Sequence, residues 1–109
     1  MTKDKKSEKT LFQKIADGEI SSKKYPEFED DDFFVINDIN PKAKVHVLLI
    51  TKQPFPTLDD LPNDILSKIL PKTKSIAKAL CKNNSYRIQI NTGPPYQEIS
   101  HFHLHIYGG

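Results

Sequence analysis

The chain has 109 residues, and its sixteen Lys and Arg against fourteen Asp and Glu give a net charge of +2. That length suffices for one domain with a hydrophobic core. Because positive and negative charges are nearly balanced, nucleic acid and a membrane surface are not expected as partners. No apolar run is long enough to span a membrane. A single cysteine, Cys81, excludes an internal disulfide. We therefore expect an intracellular protein of the cytoplasm that could also occur in the nucleus.

The N-terminal end predicts a tail and then a short helix. Residues 1–9 are rich in lysine, lack the apolar centre of a signal peptide, and are expected to be disordered. Thr10 and Gln13 match a capping box at the start of a helix over residues 11–17, and Gly18 is a suitable C-terminal cap. The predicted domain therefore covers residues 10–109.

The rest of the chain predicts an antiparallel sheet with one long helix. The helix begins near Pro62 and continues to Cys81, with apolar residues at spacings of three and four. Pro71 lies inside it and predicts a kink or a split. The order of three strands, one long helix and two strands favours an α+β fold with a five-stranded sheet. The predicted strands cover residues 25–29, 33–38, 45–51, 86–91 and 101–107.

Three histidines alternate with apolar residues at the end of the chain. Since successive side chains of a strand point to opposite faces, His101, His103 and His105 are expected to share one face, with neighbours roughly 6.5–7 Å apart. The fourth histidine, His46, lies in the predicted strand 45–51. If the two strands belong to one sheet with matched facing, all four imidazoles can converge on one site.

This alternation resembles the signature of the histidine triad (HIT) family. Further segments are similar to the Hint-type branch of that family, namely residues 11–15, 28–31 and 37–43, His46, Asn91 and Gly108-Gly109. The resemblance implies a HIT-like fold with one short N-terminal helix and one long helix, and a homodimer in which two protomers form one continuous sheet. It also implies hydrolysis of purine nucleoside phosphoramidates or adenylates through a nucleotidyl-histidine intermediate, with no cofactor and no metal.

The resemblance also implies residue roles. His103 would attack the α-phosphorus, and a neutral imidazole suits that role because its ordinary pKa is about 6.5. His105 and His46 would donate hydrogen bonds to phosphoryl oxygens, while His101 would orient its neighbours. The predicted substrate-binding residues are Asn91, Gln97, Glu98 and Ile99 near the phosphate, Asp38 and Asn37 near the ribose, and Leu11, Phe12, Ile15, Phe28, Ile36 and Ile39 near the base.

Several of these residues also have purely structural interpretations. Asp38 can serve the turn before Pro41, Asn91 can simply end a strand, and the apolar stripe of the first helix can be core packing. The segment Pro95-Tyr96 and Glu98 depart from the Hint-type pattern, which usually has paired glycines and a serine there.

Three other functions stay open at this point. One is hydrolysis of dinucleoside polyphosphates, and another is a non-catalytic nucleotide-binding or scaffold protein. The third is a zinc site, because strand histidines at spacing two plus a histidine from a second strand also suit that metal.

Overall fold

A computed structural model describes residues 10–109, so the predicted tail lies outside the described residues. The elements in chain order are α1 (Leu11–Ala16), β1 (Phe33–Asn37), β2 (Val45–Thr51), α2 (Asn63–Leu80), β3 (Tyr86–Ile90) and β4 (His103–Gly108). The strands form one antiparallel sheet in the order β1-β2-β4-β3. None of the helices within residues 10–109 combines the length and apolar character needed to cross a membrane.

Helix α1 begins at the predicted capping box. The Gln13 amide donates to Thr10 Oγ1 over 3.0 Å, and the Thr10 amide donates to Gln13 Oε1 over 2.9 Å. These two bonds satisfy amides that the first helical turn leaves without partners. Gly18 follows the helix with a φ of +84°, a left-handed conformation that glycine adopts without strain. The start of the short helix is therefore confirmed.

Helix α2 continues through Pro71, so the structure excludes the split, one of the two outcomes predicted for this proline. Pro71 lies on the solvent side of the helix. The carbonyl that its missing amide would have bound belongs to Ser67, which is also exposed and can bind water instead. The buried residues of the helix are Ile65, Ile69, Thr73, Ile76 and Ala77.

The α+β class is confirmed, but the sheet of the described chain has four strands and not five. The segment predicted as the first strand forms a 3₁₀ turn over Pro26–Phe28, and Lys24, just before that segment, makes one isolated bridge with Ile36. Pro26 occupies the first position of the turn, where its fixed φ is favourable. The last strand also begins at His103, two residues later than predicted.

The two faces of the sheet carry different side chains. One, the helix face, packs against α2 and includes Phe33, Val35, Val47, Leu49, Leu104 and Ile106. The other, the histidine face, packs in part against α1 through Phe34, Ile36, Leu48 and Ile50, which contact Phe12 and Ile15. Strand β4 is central, pairing with β2 on one side and β3 on the other.

Candidate active site

Three imidazoles meet on the histidine face. His103 and His105 alternate along β4, and their ring centroids lie 5.1 Å apart. His46 comes from β2, and its Nε2 lies 3.0 Å from Nδ1 of His105. Because β2 and β4 are adjacent, two neighbouring strands deliver all three side chains.

His101 is more deeply buried than these three imidazoles and has its own hydrogen-bond partners. It precedes β4, is fully buried, and its Nε2 lies 2.7 Å from the main-chain carbonyl of Thr51. Its Nδ1 lies 2.6 Å from Oγ1 of Thr10 at the start of α1. Since β4 begins at His103, the prediction that His101 belongs to the last strand is wrong. Its side chain is held by hydrogen bonds to Thr51 of β2 and to Thr10, the N-cap of α1.

The hydrogen bond of His103 determines which of its ring nitrogens is free to react. Nδ1 of His103 lies 2.8 Å from the main-chain carbonyl of His101. A carbonyl oxygen only accepts, so Nδ1 of His103 carries the proton. In the neutral ring Nε2 then holds a lone pair, which is the form that a nucleophile requires.

A second chain of hydrogen bonds gives His105 the opposite character. The amide of Lys42 donates to Nδ1 of His46 over 3.1 Å, so His46 carries its proton on Nε2. That proton is donated to Nδ1 of His105, and His105 in turn carries its own proton on Nε2. The site therefore combines a lone pair on His103 with an N–H donor on His105.

Burial keeps these imidazoles neutral. Loss of hydration lowers the pKa of His46, His101 and His103 below its usual value. For His105 burial, aided by repulsion from His103 and His46, lowers the pKa to about 4. The carboxylate of Asp38 acts in the opposite direction on His46, His103 and His105, but desolvation outweighs it. All four rings are thus uncharged near pH 7.

A cavity of about 380 Å³ opens over His46, His103 and His105. Its walls include residues of α1, β1 and the loop before β4. The predicted substrate-binding residues that line it are Leu11, Phe12, Ile15, Ile36, Asn37, Asp38, Ile39, Asn91, Glu98 and Ile99.

Two predicted substrate-binding residues do not line this cavity. Phe28 packs against the core of the helix face, because the 3₁₀ turn directs it to the opposite side of the sheet. Gln97 instead organises the loop, since its Oε1 accepts from the Gly93 amide and its Nε2 donates to the carbonyls of Pro56 and Ile99. The structure therefore does not bring these two residues together with the others that were predicted to bind substrate.

Asp38 makes the turn contact expected of it and also faces the imidazoles. Its Oδ1 accepts from the Asn40 amide over 2.8 Å, which is the short-range turn bond that the sequence allowed. Its Oδ2 lies 3.4 Å from Nε2 of His46. Asn91 lines the cavity at the end of β3, where its Oδ1 accepts from Gln89.

The loop before β4 offers backbone donors at the rim of the cavity. Glu98 is exposed and Ile99 is half-buried. Among the described residues, neither of their amides donates to an acceptor in the protein. Tyr96, which is 74% exposed, adds an aromatic ring to the same rim.

Tyr107 is a cavity residue that the sequence interpretation missed. Its ring centroid lies 4.3 Å from that of His46, and its ring is parallel to that of His105 at 5.8 Å. Tyr107 continues the alternation of His103 and His105, so the two-residue period of a strand already placed it on this face.

The cluster of Asp38, His46 and His105 has the composition of a metal site but not its protonation. One ligand atom from each residue lies within 4.8 Å of the other two. However, His46 would bind a metal through Nε2, and its proton would have to move to Nδ1, where the Lys42 amide already donates. The hydrogen bonds therefore disfavour a metal at this position.

Comparison with known proteins identifies the family. The family model described as HIT domain matches residues 18–109, and the chain belongs to the HIT-domain family. Adenylylsulfatase HINT1 of Arabidopsis thaliana is 37% identical over 106 residues, covering 92% of this chain and 71% of that protein. The resemblance in the sequence is thereby confirmed.

Solved structures confirm the fold. A HIT family hydrolase from Legionella pneumophila Philadelphia 1 is similar with a TM-score of 0.82 and 37% identity, covering 93% of each chain. A histidine triad nucleotide-binding protein from Candida albicans is similar with a TM-score of 0.80 and 36% identity, covering 90% of this chain and 73% of that one.

Proposed function

We propose that this protein is a nucleotide hydrolase of the HIT family that cleaves purine nucleoside phosphoramidates or related adenylates. The observation that carries the proposal is the hydrogen bond from Nδ1 of His103 to the carbonyl of His101, which leaves Nε2 as the lone-pair nitrogen. The relative named adenylylsulfatase and the solved structures named hydrolase and nucleotide-binding protein support the same reaction class.

The proposed reaction has two displacements at phosphorus. Nε2 of His103 attacks the α-phosphorus and forms a P–N bond to the imidazole, the P–N bond of the substrate breaks, and the leaving amine departs after taking up a proton from solvent water. Nε2–H of His105 donates to a phosphoryl oxygen as charge develops there. Water then attacks the nucleotidyl-imidazole, the bond between phosphorus and His103 breaks, and the nucleoside monophosphate leaves.

The cavity walls support a nucleotide in one orientation. The phosphate would lie over His103, within reach of the free amides of Glu98 and Ile99. The apolar side chains of α1 and β1 would hold the base, and Oδ2 of Asp38 would accept from a ribose hydroxyl. The buried thiol of Cys81 suits the reducing conditions of the cytoplasm, where we place the reaction.

We also propose that the protein acts as a homodimer joined through β3. This strand is at one edge of the sheet, and Tyr86 and Ile88 are exposed on it by 42% and 38%. Leu66 and Leu70 leave further apolar surface open on α2, by 45% and 56%. An exposed, partly apolar edge strand is a natural pairing surface.

Sedimentation of the full chain tests this dimer. We expect a dimer at micromolar concentration, and a species of 12.5 kDa, the mass of one chain, would contradict the proposal.

Turnover assays test the proposed reaction directly. We expect the purified protein to release AMP from adenosine 5′-phosphoramidate, with the same rate in the presence and absence of a chelator. Diadenosine polyphosphates would be assayed in parallel, and preference for them would favour the alternative hydrolase. Binding of AMP without any turnover would favour a non-catalytic role. Loss of activity with chelator, restored by zinc, would overturn the metal-free mechanism.

A further inference from the structure

Thr10 lies where the start of α1 meets the buried ring of His101. Its Oγ1 is 2.6 Å from Nδ1 of His101, although the two residues are 91 positions apart in the chain. The same oxygen accepts from the Gln13 amide over 3.0 Å. One hydroxyl group therefore contacts both the first turn of the helix and a triad histidine.

The direction of each hydrogen bond follows from the acceptors. The carbonyl of Thr51 only accepts, so His101 carries its proton on Nε2 and offers a lone pair on Nδ1. The hydroxyl of Thr10 therefore donates to Nδ1 of His101 while it accepts from the Gln13 amide. Within the described residues no buried side-chain nitrogen or oxygen lacks a hydrogen-bond partner, and the hydroxyl of Thr10 is the partner of Nδ1 of His101.

We propose that Thr10 is a positioning residue for the nucleophile His103. By holding the His101 ring against the carbonyl of Thr51, it also holds the main-chain carbonyl of His101, which accepts from Nδ1 of His103. The ring of Phe12, two residues into α1, contacts His101 and His103 edge-on at 5.5 and 4.9 Å. The helix that walls the cavity and the orientation of the nucleophile are thus linked through Thr10.

This role differs from ordinary helix capping in one chemical respect. Ser, Thr, Asp and Asn can all accept from the amide of the first turn. Donation to Nδ1 of a neutral histidine requires a hydroxyl or another N–H or O–H group. A carboxylate at position 10 would keep the cap and lose the donor, which separates the two roles experimentally.

Four variants make the test. Thr10→Val removes both roles, Thr10→Ser retains both, and Thr10→Asp retains only the cap. Gln13→Ala is the matched control, because it removes the bond to the Thr10 amide and leaves the bond between Thr10 and His101 in place. Turnover of adenosine 5′-phosphoramidate gives kcat and KM, and nitrogen NMR of the unliganded protein gives the protonated nitrogen of His101 and His103.

The proposal predicts a fall in kcat with little change in KM. We expect Thr10→Val and Thr10→Asp to lower kcat by tenfold or more, with KM changed by less than threefold, while Thr10→Ser and Gln13→Ala stay within threefold of the parent chain. In Thr10→Asp both neighbours of the His101 ring would be acceptors, so we expect His101 to carry a proton on Nδ1 as well as on Nε2. If Thr10→Val does not fold, Thr10→Asp alone decides the question.

Two results would overturn it. One is a kcat within threefold of the parent for Thr10→Asp with His101 still protonated only on Nε2. The other is a rise in KM with unchanged kcat, which would restrict Thr10 to shaping the cavity. The inference rests on the proposed function, but a parent protein without turnover would refute that function alone, since the NMR signals of His101 and His103 are read without substrate.

Discussion

The two faces of the sheet are built from the same strands and differ in what covers them. The helix face lies under the eighteen residues of α2 and is mainly apolar, and the buried hydroxyl of Thr73 donates to the main-chain carbonyl of Ile69 within the helix. The histidine face lies under only six residues of α1, and the uncovered part is the cavity over His103 and His105. Strand β4 contributes to both, because alternate residues point to opposite faces. Alternate residues of one strand therefore serve different ends, since Leu104 and Ile106 contribute to the core and His103 and His105 to the cavity.

The largest expected effect tests the histidine face. We expect His103→Ala to lower kcat by at least about a thousandfold, since it removes the proposed nucleophile. The fold and the affinity for AMP should change little, because Leu104 and Ile106 still fill the helix face. Turnover and AMP titration measure the two quantities. His105→Ala should cost less, and equal mild losses at both positions would contradict the assigned roles.

A core substitution tests the helix face. Ile76 is fully buried on α2, so Ile76→Ala should lower the free energy of unfolding by about 2–5 kcal/mol through lost contacts and a cavity. Urea unfolding measures this change. The kcat of the remaining folded protein should stay within about threefold of the parent. A catalytic loss as large as that of His103→Ala would show that the two faces are not independent.

Acid pH should affect the histidine face selectively. A histidine whose pKa is lowered on folding stabilises the protein above its unfolded pKa of about 6.5, and this contribution is lost as pH falls towards the folded pKa. For His105 that window extends from about 6.5 down to about 4. We expect the free energy of unfolding to fall by about 1–2 kcal/mol between pH 7 and pH 5.

The same titration gives a kinetic readout. The pKa of His103 is also lowered, so this ring stays neutral to a lower pH than an ordinary histidine. As the pH is lowered, kcat/KM should therefore begin to decline only below pH 6.5. The variant His105→Gln should show a shallower fall of stability over the same window. A decline of kcat/KM centred above pH 7 would contradict a neutral, buried nucleophile.

The smallest expected effect concerns Glu98 at the rim. Its side chain is exposed, and the proposal uses only its backbone amide. Glu98→Gln and Glu98→Ser should therefore change kcat/KM by less than about tenfold, or 1.4 kcal/mol. A hundredfold increase would indicate that the carboxylate repels the substrate phosphate, and a hundredfold decrease would indicate that it donates a proton.

Short-range sequence patterns predict most helices and strands of this fold. The site was harder to predict, because it depends on hydrogen bonds between residues that are far apart in the sequence. The capping box of Thr10 and Gln13 and the bounds of β2 depend on neighbouring residues, and the structure confirms both. The 3₁₀ turn at Pro26–Phe28 was mistaken for a strand because a short apolar segment fits either state.

The partners of His101 could not be predicted, for a different reason. Strand alternation predicts the face of a side chain but not its hydrogen bonds, and those of His101 are made to Thr51 and Thr10. These contacts join residues 50 and 91 positions apart, and no spacing in the sequence marks them. By contrast, Tyr107 follows His105 at the same spacing of two, so strand alternation alone could have placed its side chain on the histidine face.

Because β4 pairs with a strand on each side, insertions and deletions within it are restricted. Inserting one residue between His103 and Leu104 would reverse the facing of the residues that follow it. His105 would then point towards α2, while Leu104 and Ile106 would point towards the cavity, because the pairing with β2 and β3 fixes which face each position occupies. An insertion in the loop over residues 92–100 leaves that register intact. Length changes among working descendants of this chain should therefore accumulate in the loop and be absent from the strand.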